Sequence, residues 1–151
     1  MNTAEAERIL SASPDHKVLK RVPQTAAWGL HASNNNLMRG VYVDVETTGL
    51  NEADEVIELA LLPFEYDRTT GIVARLLEDD AYSALRQPSF SIPDASVLIH
   101  GITNDDVAGC VVDAARVEAI IKSANIVLAH NAAFDRPMVE KHWPVFERSN
   151  W

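Results

Sequence analysis

The chain has 151 residues, enough for one domain with a real hydrophobic core. Hydrophobic residues make up 47% and charged residues 23%, an ordinary globular balance, and no apolar run approaches the roughly 18 residues of a membrane span. The net charge of −9 argues against a protein held on nucleic acid mainly by Lys and Arg contacts to phosphate. It leaves open an enzyme that reaches phosphate through metal ions, because two divalent cations would offset about four of those charges.

The single cysteine, Cys110, excludes an internal disulfide framework and suits a reducing compartment. The stretch Met1 to Leu10 is polar and acidic and does not read as a signal peptide, so the expected location is the cytoplasm, with no membrane partner.

Residues 1–39 read as an N-terminal extension, and residues 40–151 as the domain proper. Within the extension, Thr3 to Ser11 has helical character up to Pro14, and Pro23, Gly29 and the run Ser33 to Asn36 read as loop. From Gly40 the pattern becomes regular. Val41, Val43 and Val45 alternate with Tyr42, Asp44 and Glu46, the period of a half-buried strand. A polar connection at 51–54 leads to a second strand over Glu55 to Tyr66, with Pro63 as an irregularity. A turn at Arg68 to Gly71 precedes a third strand over Ile72 to Leu77.

Gln87 to Asp113, with Pro88, Pro93, Gly101 and Gly109, reads as irregular. Asp113 to Ala124 is a predicted helix, with Ala114, Val117, Ile120, Ile121 and Ala124 on one face. Ile126 to Ala129 is a short apolar strand, and Ala132 to Trp143 a helix stopped by Pro144. Three strands in a meander, then helix, strand and helix, predict an α/β fold with a sheet of mixed direction.

The chemistry concentrates in two clusters. Asp44 and Glu46 lie two apart on a strand, so their side chains leave the same face while the valines face the core. Paired carboxylates repel unless something positive sits between them, and hard cations such as Mg²⁺ prefer such oxygen ligands. The turn Thr47-Thr48-Gly49-Leu50 adds hydroxyl and amide donors and a glycine that permits close backbone approach. Glu58 is placed on the second strand among Val56, Ala60 and Leu62, where a carboxylate needs a partner. The second cluster, Ala129 to Asp135, begins at a strand end and opens a helix. Asn131 is placed to cap that helix, and Asp135 lies four residues on, on the same face.

Together, Val-Asp-Val-Glu-Thr-Thr-Gly at 43–49 and His-Asn-Ala-Ala-Phe-Asp at 130–135 resemble the first two motifs of the DEDD exonuclease superfamily. The branch most similar is the DnaQ-like proofreading type, the epsilon-subunit kind of DNA polymerase III. Val56 to Leu59 and Ile99-His100-Gly101-Ile102-Thr103 resemble the family's second strand and the segment before its central helix. The resemblance covers residues 40 to 146 in order.

It implies a ribonuclease H-like mixed β-sheet flanked by helices, and a 3′→5′ exonuclease acting on nucleic-acid 3′ ends, DNA first with RNA as the alternative, in DNA replication and proofreading. It also implies that Asp44, Glu46 and Asp135 are catalytic, metal-binding carboxylates. Thr47, Thr48 and Leu50 would lie against the terminal nucleotide, Glu58 near its 3′ hydroxyl, and Asn131 and Phe134 near substrate and metal. The implied cofactors are two divalent cations, Mg²⁺ or Mn²⁺, stabilising attacking and leaving oxygens from about 3.5–4 Å apart. The implied partners are a single-stranded or frayed nucleic-acid 3′ end and a DNA polymerase.

The sequence departs from the family at one point. The third motif, a histidine and a fourth carboxylate on a later helix, has no match after Asp135. His142 and Glu147 are five apart but come too early, and Pro144 separates them; His142 reads instead as a surface residue near a helix end. The expectation is a chain truncated before the last helix, weak or inactive as it stands. The alternative is a non-catalytic module that keeps the fold to bind a nucleic-acid end or a polymerase.

Overall fold

A computed structural model describes Glu5 and residues 36–151; the helix expected over 3–11 lies outside the described residues. The first strand, β1 (Leu37–Thr47), begins inside the stretch read as an extension. It pairs antiparallel with β2 (Val56–Asp67). On the far edge of β2 lie two short antiparallel strands, β3 (Val73–Leu76) and β4 (Tyr82–Leu85). On the other side of β1, β5 (Ile126–Leu128) runs parallel to it. The result is a five-stranded mixed sheet flanked by helices, the architecture expected of a ribonuclease H-like domain.

The helices are α1 (Asp94–His100), α2 (Asn104–Val107), α3 (Ala114–Ser123) and α4 (Ala132–His142), followed by a 3₁₀ turn at Pro144–Arg148. The predicted face of α3 is correct in its centre: Val117, Ile120 and Ile121 are buried. They pack with Val41, Val43 and Val45 of β1 and with Met138, Val139 and Phe146. Alternation along β1 therefore sends its valines into the core and leaves Asp44 exposed and Glu46 half-buried.

Three expectations need correction. The segment 87–113 is not wholly irregular, since it carries α1 and α2, and β4 precedes it. Pro63 causes no irregularity: it pairs with Val41 in register, and its carbonyl accepts from Leu77 N–H at 2.8 Å. The shift lies instead between Glu46 and Thr47, so that Glu46 faces Glu58 while Thr47 faces Val56. This extra residue turns Val56 away from Glu58 and into the main core. Ile57 beside it joins a smaller cluster with Ile92 and Val107.

Because β5 is parallel to β1 and β2 antiparallel, the end of β1, the start of β2 and the exit from β5 gather at one end of the sheet. Strand ends of this kind are where α/β folds place sites.

Candidate active site

Asp44 and Glu46 stand side by side near the end of β1, and Glu58 lies directly across from Glu46. Burial raises the pKa of Glu46, the charges of Asp44 and Glu58 add to that rise, and His100 opposes it. Asp135, in the first turn of α4, is buried. Its carboxyl is also raised, first by burial and then by the negative charge of Asp44, against backbone hydrogen bonds and His130. The fold thus brings the first cluster and the second together electrostatically, although 91 positions separate Asp44 from Asp135. Repulsion of this kind is what a bound cation relieves, and an all-oxygen donor set suits a hard divalent ion. Among the described residues, no three His, Cys, Asp or Glu side chains converge closely enough to hold a metal ion. The donors fit a cation in chemistry but are not closed around one.

Glu58 has the partner its position demands, the Ser83 hydroxyl of β4, which donates to Oε1 at 3.1 Å. Sequence reading had no route to Ser83, because β4 was not anticipated.

The turn after β1 is built differently from the sequence expectation. The Thr47 hydroxyl donates to the Gly49 carbonyl at 2.6 Å. The Thr48 hydroxyl donates to Asp54 Oδ1 at 2.9 Å and accepts from Glu55 N–H, while the Thr48 N–H bonds the Glu55 carbonyl. Thr48 is fully buried, so its donors hold the turn rather than face a ligand. Gly49 is required by Asp54: a Cβ there would meet the Asp54 carboxylate at 2.7 Å. Leu50, by contrast, is exposed, as are Leu98 and Ile99 on α1. Ser96 fastens α1 to the same turn, its hydroxyl donating to the Thr48 carbonyl at 2.7 Å.

Asn131 occupies the N-cap position of α4 but caps it through its backbone, not its side chain. Its carbonyl accepts from the N–H groups of Phe134 and Asp135. Asn131 itself is exposed and Phe134 half-buried at the margin of the core. The far end of α4 is latched to the turn by Lys141, whose Nζ donates to the carbonyls of Glu52 and Asp54. One helix therefore carries Asp135 at one end and grips the Asp44–Glu46 turn at the other.

His142 is not a surface residue. It is half-buried, and its Nε2 accepts from the Val56 N–H at 3.4 Å. His142 and Glu147 line a groove of about 640 Å³ between α3 and the 144–150 segment, which none of Asp44, Glu46 and Asp135 lines. They are not part of the acidic cluster.

Comparison with known proteins agrees with the fold. The chain resembles solved structures of exonuclease I in its fold. The apo form matches with a TM-score of 0.53 at 18% identity over 75% of this chain and 26% of that one. The E. coli enzyme in complex with a dT13 oligonucleotide matches with a TM-score of 0.52 at 19% identity over 75% and 25%. The chain thus spans about a quarter of the length of those proteins. No curated protein sequence matches it. The RNase_T exonuclease family model covers residues 41–146, from the first valine of β1 to the buried Phe146, and the chain belongs to that exonuclease family.

Proposed function

We propose that this domain is a metal-dependent 3′→5′ exonuclease of the DnaQ-like branch, acting on the 3′ end of single-stranded or frayed DNA. The observation that carries the reading is the coupling of buried Asp135 to Asp44 and of Glu46 to Asp44 and Glu58 at one end of the sheet. Four acids at one strand end, three of them exposed or half-buried, make sense as a site for cations and make little sense as a stability device.

In this reading Asp44, Glu46 and Asp135 hold two divalent cations, Mg²⁺ or Mn²⁺. When bound, such ions polarise the scissile phosphate and stabilise charge on its oxygens. The chain's own residues supply the rest. Leu50 offers an exposed apolar face to the terminal base, with Leu98 and Ile99 available on the neighbouring helix. Glu58, held by Ser83, would accept from the 3′ hydroxyl of the terminal nucleotide. Thr47 and Thr48 fix the shape of the turn and Asn131 and Phe134 that of the α4 entry. His100 and His130 lie near enough to act on the charges of Glu46 and Asp135, whereas His142 lies against Val56 and lines a separate groove.

The test uses the full chain with a 5′-labelled single strand and Mn²⁺. Shortening from the 3′ end that is abolished by chelator and by Asp44→Ala supports the reading. Absence of both metal-dependent shortening and Mn²⁺ binding overturns it. Affinity for a 3′ end, or for a polymerase, that survives Asp44→Ala and chelator favours the non-catalytic module. That second reading draws on the open arrangement of the acids.

A further inference from the structure

His100 is the last residue of α1, which Gly101 ends in a left-handed conformation at φ 78°. The chain turns back there, and the Ile102 N–H donates to His100 Nδ1 at 3.0 Å. A ring nitrogen that accepts carries no hydrogen, so the hydrogen of the neutral ring sits on Nε2. Nε2 is buried and has no hydrogen-bond partner among the described residues. A buried donor without a partner costs about 1–3 kcal/mol, and folded proteins rarely leave one so. The ring also lies close enough to Glu46 to act on its carboxyl, in opposition to Asp44 and Glu58. The Ser96 bond to the Thr48 carbonyl holds the helix carrying His100 against the turn that follows Glu46.

We propose that His100 is a positioning residue for Glu46: its Nε2–H donates to the Glu46 carboxylate when that carboxylate turns to hold a divalent cation. The orphaned donor and the unclosed acidic cluster then have one explanation. Both are completed by the same side-chain rotation, in which Glu46 gains a donor for one oxygen and offers the other to the ion. Ligating carboxylates are commonly oriented by such second donors, whose loss weakens metal binding about 10–100-fold. The inference rests on the metal-site reading above, so its test reads the pairing separately from metal binding.

Two substitutions separate positioning from packing. In His100→Asn the amide oxygen takes the place of Nδ1, keeps the Ile102 bond and lacks the Nε2–H. In His100→Gln an amide N–H stands where Nε2 stood. Binding of Mn²⁺ alone, followed by electron paramagnetic resonance on the full chain, is expected to weaken about tenfold or more in His100→Asn. Thermal stability without metal is expected to hold or rise, because the unpartnered donor is gone, and His100→Gln to recover most of the affinity. Wild-type affinity in His100→Asn, or a loss that only tracks a lower melting temperature, overturns the proposal. The Nε2–H resonance in ¹⁵N-resolved NMR is expected to shift when diamagnetic Mg²⁺ is added to wild type. Mg²⁺ binding without that shift overturns the His100–Glu46 pairing and leaves the metal site standing. Absence of Mg²⁺ and Mn²⁺ binding overturns the metal site and the pairing with it.

Discussion

Gly49 has no room for a side chain because the Asp54 carboxylate lies 2.7 Å from the position a Cβ would take. That carboxylate cannot easily move away. It accepts from the Thr48 hydroxyl at 2.9 Å and from the Asn51 N–H at 2.7 Å. Although burial works against its charge, bonds from Asn51 and Thr48 and the nearby Lys141 keep its pKa below the ordinary value. Gly49→Ala is therefore expected to destabilise the domain by about 1–3 kcal/mol, the usual scale of overpacking. Urea unfolding measures the loss. In an Asp54→Ala background the added penalty of Gly49→Ala should largely vanish. An equal penalty in both backgrounds would show that the glycine is needed for another reason.

Asp135→Asn is expected to stabilise the metal-free protein at neutral pH. The Asp135 carboxyl is raised in the fold, by burial first and by Asp44 second. A raised acid makes its charged form a burden on the folded state, present at pH values above the folded pKa and relieved as pH falls through it. The melting temperature of Asp135→Asn should therefore exceed that of wild type near pH 7, and the gap should close on acidification before pH reaches the ordinary carboxyl value of 3.8. A variant less stable than wild type at pH 7 would mean that Asp135 is a structural acid, which would weaken the active-site reading.

The acids themselves were legible because strand alternation is a local property: Val41, Val43 and Val45 point one way and Asp44 and Glu46 the other. What supports them was not legible. Lys141 reaches Glu52 and Asp54 across 89 and 87 positions, and no sequence period encodes a contact of that span. The helix α1 was hidden for a different reason. Its large apolar residues Leu98 and Ile99 are exposed, so the stripe that marks a core-facing helix is missing. Only Pro93 before it and Gly101 after it signalled its limits. The extra residue opposite Glu46 and Thr47 broke the period-2 rule at the site itself, which misplaced Val56. Asn131 was read correctly as the start of α4 but wrongly as a side-chain cap.

Glu55 makes the fold sensitive to acid. Burial would raise its pKa, but hydrogen bonds from Ser89 and Arg86, together with the charge of Arg86, lower it to about 2. Arg86 Nη1 reaches Glu55 Oε2 at 2.7 Å and also donates to the Val56 carbonyl at 3.1 Å, so the ion pair fastens the start of β2. A depressed acid contributes stability in full above its unfolded value of 4.5, and loses it as pH falls toward 2. Urea midpoints taken across that window should fall in wild type. The fall should be shallower in Glu55→Gln, which starts less stable. Parallel curves would assign the acid sensitivity to other carboxylates.

His142 sets a second window, at milder pH. Its pKa is depressed by burial first, then by Arg86 and Lys141, with Glu55 pulling the other way. The Val56 N–H needs the Nε2 lone pair, and protonation replaces that acceptor with a donor. A depressed base gives stability that is complete above its ordinary 6.5 and declines as pH falls below it. Wild-type stability should therefore begin to drop as pH falls below 6.5, before the Glu55 window opens. His142→Gln keeps an acceptor for Val56 and does not titrate, so its curve should be flat there. The two windows meet at the same strand start, next to the irregularity opposite Glu46 and Thr47. Metal affinity measured at pH 5.5 in His142→Gln should then exceed that of wild type at equal pH, because the start of β2 stays closed. Identical affinities at that pH would confine His142 to stability and leave the acidic site independent of it.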